Sequence, residues 1–315
     1  MSTELPVVSS QIPEDILKAT RKNLPSDHPT WCPGCGDFSV LNAYFKLNER
    51  RGMLKQKITT ISGIGCSSRF PYFVNAHGAH FVHGRALSFA SGLSLSRPDL
   101  HVFVFFGDGD AFSIGGNHMT HTSRKNIKMT AVIMDNFVYG LTKKQTSPTS
   151  PLGFKSKTDP WGSADMPINP VKKLIADGAT FVARTHAAMP DHLLSMMERA
   201  MEHNGFSVIE VLSECTEFNR GAFDGALARK GGQYRIIEEK KNDGTPEDAN
   251  RHDVTNELAA LKLAMEPWPG YFGVFYNINR PTKNENEAKL IENAQSKVDT
   301  RSEMDRLQDM FNLTK

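Results

Sequence analysis

The chain has 315 residues, 39% of them apolar and 23% charged, with a formal net charge of +2. That is the make-up of a globular protein with a sizeable core, and the near-balanced charge argues against nucleic acid or an anionic membrane as the main partner. The most apolar run, residues 102–106, is far too short to span a bilayer. The acid- and proline-bearing N-terminus lacks the apolar stretch of a secretory signal, so a cytoplasmic protein is expected.

Residues 1–30 read as a loosely held N-terminal arm. WCPGCGDF follows at 31–38, and apolar residues at helical spacing predict a helix over 37–50. KITTISGIG (57–65) is a β-branched strand running into a glycine turn. The small apolar residues of 84–95 suit a tightly packed helix. LHVFVFFGDGD (100–110) is a buried strand ending in Gly-Asp-Gly, with a helix starting at GGNH. MTAVIMDN (129–136) is a second buried strand, and 157–170 is a Pro/Gly loop. Helices at 171–179 and 191–205 flank a short strand, TFVAR, and FSVIEVLSEC (206–215) is a further apolar strand.

This alternation predicts an α/β fold, a mostly parallel sheet with helices on both faces. After residue 220 the chain becomes charged and poor in apolar residues, with one short strand at 273–276 and a charged amphipathic helix at the end. The expected organisation is an arm (1–30), one α/β domain (31–220) and a C-terminal extension (221–315) lying over a neighbour.

GIGC, GDGD and DNFVYG fall at the carboxyl ends of strands, where open α/β sheets bind ligands. GDGDAFSIGGNH (107–118) with DNFVYG (135–140) suits a magnesium-bound diphosphate. Magnesium wants oxygen ligands and takes few of them from protein. Asp108 supplies a carboxylate, Asn136 an amide oxygen and Val138 a carbonyl, while Gly107 and Gly109 let backbone N–H groups approach phosphate. Gly-Asp-Gly alone is most often a plain turn; the strand-terminal Asn136 shifts the balance.

The chain has four cysteines, Cys32, Cys35, Cys66 and Cys215. They are too few for a disulfide framework, yet four is the number of ligands for either a structural zinc or an iron–sulfur cubane. His118 and His121 lie three apart and lack an evident third ligand, a weak metal pattern.

The Gly-Asp-Gly and Asn pair resembles the thiamine diphosphate fingerprint. WCPGCGDF, GIGCSSR, HGRA, GDGDAFSIGGNHMTH, DNFVYGLTKKQTSPTS and ECTEFNR occur in the order found in β subunits of two-subunit 2-oxoacid:ferredoxin oxidoreductases. The resemblance spans roughly residues 25–225 and is greatest to the 2-oxoglutarate branch. It implies a thiamine diphosphate-binding fold holding thiamine diphosphate, Mg²⁺ and one 4Fe–4S cluster on the four cysteines. It also implies coenzyme A-dependent oxidative decarboxylation of 2-oxoglutarate to succinyl-CoA and CO₂, with reduction of ferredoxin and reversal as reductive carboxylation.

Gly65, Asp110, Gly140, Leu141 and Thr142 join the implied cofactor contacts. Arg69, close beyond Cys66, is a candidate for a substrate carboxylate, or else a structural arginine. His83 is a candidate catalytic donor to a substrate oxyanion, or else a core histidine. The resemblance further implies a larger α subunit carrying the pyrimidine-binding domain and the catalytic glutamate, in an (αβ)₂ assembly; the tail after 220 is too short to be that domain. One departure is Lys144, where the family commonly has glycine. Competing readings are the same chemistry on pyruvate or other 2-oxoacids, a non-redox thiamine decarboxylase, and a cluster scaffold that has lost thiamine.

Overall fold

Seven strands form one sheet in the spatial order β2-β1-β3-β4-β6-β5-β7. They are β1 (Ile58–Ser62), β2 (His77–His80), β3 (His101–Gly107), β4 (Met129–Asp135), β5 (Phe181–His186), β6 (Phe206–Leu212) and β7 (Gly273–Asn277). The structure is a computed structural model and describes residues 17–245, 247–296 and 301–312. β1 to β6 are mutually parallel, and β7 runs antiparallel beside β5. Every residue of β4 and β6 is buried, as expected of strands covered on both faces.

β3 shows how both faces are filled. Phe103 and Phe105 pack with α1 (Asp37–Arg50) and α6 (Pro190–Glu202) on one side. Val102, Val104 and Phe106 pack on the other side, in the core shared by α2 (Ala86–Ser96), α4 (Gly116–Lys125), α5 (Pro170–Ala176) and α7 (Glu257–Ala264). Successive strand residues point to opposite faces, so an unbroken apolar run feeds both layers. The sheet is therefore mostly parallel with helices on both sides, as expected.

Two expectations change, and one strand was not expected. β3 stops at Gly107, and Asp108 opens a one-turn helix, α3 (Asp108–Phe112). The edge strand β2 has the sequence HGAH; pairing with β1, not propensity, makes it a strand. The extension after 220 is not a mere overlay. Phe223, Ala226, Leu227, Phe272, Val274 and Phe275 are buried, and β7 covers the outer edge of β5. β7 matches the strand expected at 273–276; the other apolar residues are scattered among charges, so no periodicity announced them. α8 (Lys283–Gln295) and α9 (Glu303–Asn312) have no buried residues.

Residues 1–16 of the expected arm lie outside the described residues. Residues 17–30 are not loose: Ala19 and Leu24 are buried, and Lys18 and Pro25 form β-bridges to Leu54 and Val74. At the far end, Asn126 takes a left-handed conformation (φ 50°) to stop α4. Its side chain donates to the carbonyls of Arg280 and Pro281. That pins the chain just before the Thr282–Glu285 capping box that starts α8.

Candidate cofactor cleft and cysteine corner

A cleft of about 80 Å³ opens at the carboxyl ends of β1, β3 and β4. Gly65, Cys66, His83, Gly107, Asp108, Gly109, Asp110, Asn136, Val138, Gly140, Leu141 and Thr142 all line it. Sequence reasoning thus brought together one set of residues from four separate segments.

Asp108 is buried at the floor. Its Oδ2 accepts hydrogen bonds from the hydroxyls of Ser147 and Thr149 at 2.5 and 2.7 Å. Burial pushes the carboxyl above its usual range, while the two hydroxyls pull it down. Thr149 Oγ1 also lies 2.9 Å from Asp135 Oδ1. Asp135 is wholly buried and pushed well up, first by burial and then by the charges of Asp108 and Glu210. Its Oδ2 has no hydrogen-bond partner among the described residues.

Asn136 is set by two contacts: its Oδ1 accepts from Val138 N at 3.1 Å, and its carbonyl accepts from Asn219 Nδ2 at 2.9 Å. Carboxylate, amide oxygen and backbone carbonyl are the hard oxygen donors magnesium takes. A dication here would hold the buried carboxyl ionised. The residues present therefore fit magnesium and a diphosphate.

Asp110 clamps the cleft's walls. Its Oδ1 accepts from the backbone N–H of Gly84 (2.7 Å) and Ile64 (3.2 Å). His83 Nδ1 is 2.7 Å from the same oxygen but off the line a hydrogen bond needs, so that nitrogen has no bonded partner. A Cβ on Gly63 would lie 1.9 Å from Asp110 Oδ2, and one on Gly109 would lie 2.1 Å from the Tyr139 ring. Both positions need glycine for close approach. Lys143 and Lys144 both sit in the left-handed region, at φ 66° and 69°. The loop thus keeps a glycine-type backbone although lysine occupies it, and the Lys144 ammonium stacks 5.6 Å over the Phe154 ring.

The cysteines gather beside this cleft from three loops. Cys35 N donates to Cys32 O in a tight turn with Gly34 at φ 80°. Gly36 N donates to Glu214 O, and Thr216 Oγ1 to Pro33 O, tying that turn to the Cys215 segment. Trp31 Nε1 donates to Cys66 O at 2.7 Å. Gly140 lies between two thiols: a Cβ there would be 3.5 Å from Cys215 Sγ and 3.8 Å from Cys66 Sγ. Cys35 senses the charges of Cys215 and Cys66, and Cys66 those of Cys215 and Cys32.

Burial raises the Cys35 thiol far above its usual value, and Asp37 raises it further. Cys66 is pushed up to about 11 by burial and then Asp37. Cys215 is raised by burial. Asp37 itself, buried and accepting from Ser213 Oγ at 2.6 Å, is raised to about 6 by burial. Such thiols ionise when a metal group takes them as ligands.

Among the described residues, no three His, Cys, Asp or Glu side chains converge on a point sized for one metal ion. A structural zinc would bring its four sulfurs about 3.8 Å apart, from Zn–S bonds of about 2.3 Å. A four-cysteine donor set suits either a structural zinc or an iron–sulfur cubane.

Arg69 does not line the cleft. Its Nη1 donates to Thr30 Oγ1 at 3.0 Å, and its charge lowers the Cys66 thiol. Residues missed from sequence were Ser147, Thr149, Asp135, Tyr139 and the Asp37–Ser213 pair. The hydroxyl-rich TSPTS run was the one signal available for the first two.

A parallel sheet with an Asp and an Asn at adjacent strand ends, beside a glycine-lined cleft, defines a diphosphate-binding domain of the thiamine enzymes. Residues 36–211 match the family described as thiamine pyrophosphate enzyme, C-terminal TPP binding domain. The 2-oxoglutarate synthase subunit KorB of Methanothermobacter thermautotrophicus is 45% identical over 272 residues, 86% of this chain and 88% of that one. The 2-oxoglutarate oxidoreductase subunit KorB of Mycobacterium tuberculosis is 46% identical over 217 residues, 69% of this chain but 58% of that longer one.

A solved structure titled 2-oxoglutarate:ferredoxin oxidoreductase from Magnetococcus marinus, with 2-oxoglutarate, coenzyme A and succinyl-CoA bound, superposes with a TM-score of 0.80 at 38% identity. That match covers 92% of this chain and 95% of the other. The chain belongs to the family of β subunits of 2-oxoacid:ferredoxin oxidoreductases.

Proposed function

We propose that this chain is the thiamine-binding β subunit of a 2-oxoglutarate:ferredoxin oxidoreductase. The complex converts 2-oxoglutarate and coenzyme A to succinyl-CoA and CO₂, passing two electrons to ferredoxin. The observation that carries this reading is a single cleft lined by Asp108, Asn136, Gly140 and Cys66, with Cys215 also next to Gly140.

Asp108, Asn136 and the Val138 carbonyl would hold Mg²⁺ on the diphosphate, and Gly107, Gly109 and Gly140 would let backbone donors reach it. Cys32, Cys35, Cys66 and Cys215 would hold a 4Fe–4S cluster. When bound, thiamine diphosphate supplies the electron sink for decarboxylation and the cluster accepts electrons singly. Ser147 and Thr149 orient the Asp108 carboxylate. His83 lines the cleft with its Nδ1 beside Asp110, leaving the ring edge toward Tyr139, where it can donate to a substrate oxygen.

The α subunit is expected to close the cleft and bring the catalytic glutamate. Val82, Ile114, Leu141, Leu152, Trp161 and Met166 are exposed in loops of this sheet region, and apolar exposure of this kind suits a covered face. Arg69 is a poorer candidate for the substrate carboxylate than its position beyond Cys66 suggested, since its guanidinium turns to Thr30 beside the cysteines.

The test is coenzyme A-dependent viologen reduction by the anaerobically purified native complex, with 2-oxoglutarate, pyruvate and 2-oxoisovalerate. Strong activity confined to 2-oxoglutarate supports the reading. Activity on pyruvate instead overturns the substrate, and no reduction in a complex holding thiamine overturns the electron-transfer chemistry.

A further inference from the structure

A second cavity, about 250 Å³ in volume, lies behind the metal-site loop and is distinct from the cofactor cleft. Phe137, Pro151, Ile168, Trp268 and Pro269 give it apolar walls. At its floor stands a charged pair that no step of the proposed chemistry uses. Arg184 of β5 is 7% exposed and Glu210 of β6 is 1% exposed. Arg184 Nε donates to Glu210 Oε2 at 2.7 Å.

That bond uses one of the guanidinium's nitrogens. Neither Nη1 nor Nη2 has a hydrogen-bond partner among the described residues, and neither is sealed from the cavity. Gly270 keeps the approach open: it sits at φ 66°, and a Cβ there would stand 3.2 Å from Nη1. A nearly buried arginine with its fork unfilled is costly unless something planar and anionic completes it.

We propose that this cavity is a binding site for a small monocarboxylate with an aromatic or branched apolar body. The carboxylate sets both oxygens against the free face of the Arg184 guanidinium, and the body rests between Phe137, Ile168 and Trp268. The charge count limits the occupant to one negative charge. Arg184 is shared with Glu210, and Glu266 at the rim is tied to Arg235 at 3.1 Å. A monocarboxylate can use the two free guanidinium nitrogens, whereas a dianion such as phosphate would bring a second charge with no cation to meet it. The volume lies below the range of about 300–1,000 Å³ for larger organic ligands, so the occupant is small.

The site is coupled to the metal by position. Thr149 lines the cavity and donates to Asp108, and Phe137 lies next to Asn136. A ligand seated there bears on the loop that shapes the magnesium site.

The test uses the native αβ complex with its cofactors and phenylacetate as probe, followed by ligand-observed NMR in the presence of saturating 2-oxoglutarate and coenzyme A. Saturable binding that survives those substrates is expected. 2-Phenylethanol, which lacks the carboxylate, is expected to bind at least tenfold more weakly. Arg184→Met/Glu210→Leu removes both charges at similar volume and is expected to lose phenylacetate binding at least tenfold. Ile168→Trp fills the cavity without touching the charges and is expected to do the same. The comparison of the two probes needs no variant, so it stands even if the double variant does not assemble. No saturable binding, displacement by 2-oxoglutarate, equal binding of the alcohol, or unchanged binding in Ile168→Trp would each overturn the proposal.

Discussion

The two halves of the site lie side by side and are built on opposite principles. On the metal side, the protein completes most of the polar contacts itself: Ser147 and Thr149 hold Asp108, Val138 N and Asn219 hold Asn136, and Gly84 and Ile64 hold Asp110. On the cysteine side, backbone bonds hold the loops, while the thiols are left to burial, which raises Cys35, Cys66 and Cys215. One side would be organised before a cation arrived, and the other would wait for a group that ionises its thiols. The lesson is that cation affinity depends on outlying hydrogen bonds on the first side and on ligand count on the second.

Breaking each side tests that contrast. The largest effect is expected from Asp108→Ala, which takes the charged member of the proposed magnesium site. Its magnesium-dependent thiamine diphosphate affinity, read by calorimetry, should fall by more than about 100-fold, beyond the loss usual for outlying groups. Full cofactor occupancy in this variant would disprove the metal assignment. Cys66→Ser comes next. It should strip most iron and sulfide from the complex while thiamine diphosphate still binds; a brown protein of unchanged metal content would sink the four-cysteine assignment.

Thr149→Val sharpens the comparison, since Thr149 holds Asp108 without being a proposed magnesium ligand itself. Magnesium affinity is expected to fall by about 10–100-fold, with iron content unchanged. Loss of iron instead would mean that the two sides are not separately organised.

Acid should act through the scaffold that both sides share. Burial pushes His186 and His203 down to about 4. A histidine whose folded value lies below its unfolded value of about 6.5 gives up protons on folding. Its contribution to stability is full above about pH 6.5 and is lost as pH falls toward 4. Buried Asp37, raised to about 6, acts in the opposite sense: between its ordinary value of about 3.8 and that pH the fold keeps it protonated while the unfolded chain ionises it, so its contribution grows as pH falls. The melting temperature is expected to drop between pH 6.5 and 4, and His203→Gln should flatten that drop; an unchanged slope would assign it to other groups.

The smallest effect is expected from Lys144→Gly. Relief of the left-handed backbone, offset by greater freedom of the unfolded chain, is worth about 0.5 kcal/mol. The melting temperature should rise by about 1–2 °C. A loss of stability would show that the ammonium–Phe154 contact outweighs the strain.

The buried strands and main helices were legible because each carries its signal locally. The apolar runs of β3, β4 and β6, the helical spacing of α1, and the glycines after β1 and β3 all sit within a few residues of what they specify. β2 and the core residues of 221–272 were not legible, although the strand at 273–276 was. HGAH becomes a strand only because β1 is beside it, and Phe223 and Phe272 are buried against Leu212 at the end of β6. The buried Ala19 and Leu24 were hidden in the same way among polar residues.

The site divides along the same line. By itself the sequence determined the chemistry-bearing atoms: the Asp108–Asn136 pair, the glycines around them and the four cysteines, because residue type and spacing carry their chemistry. The tertiary structure alone decided what those atoms touch. Ser147 and Thr149 reach Asp108 from about 40 positions away, Ser213 meets Asp37 across most of the domain, and Arg69 turns to Thr30 instead of the cleft. Arg184 and Glu210 meet because β5 and β6 are neighbours in register. Contacts between distant segments depend on how loops close over a packed sheet, and no local pattern encodes that closure.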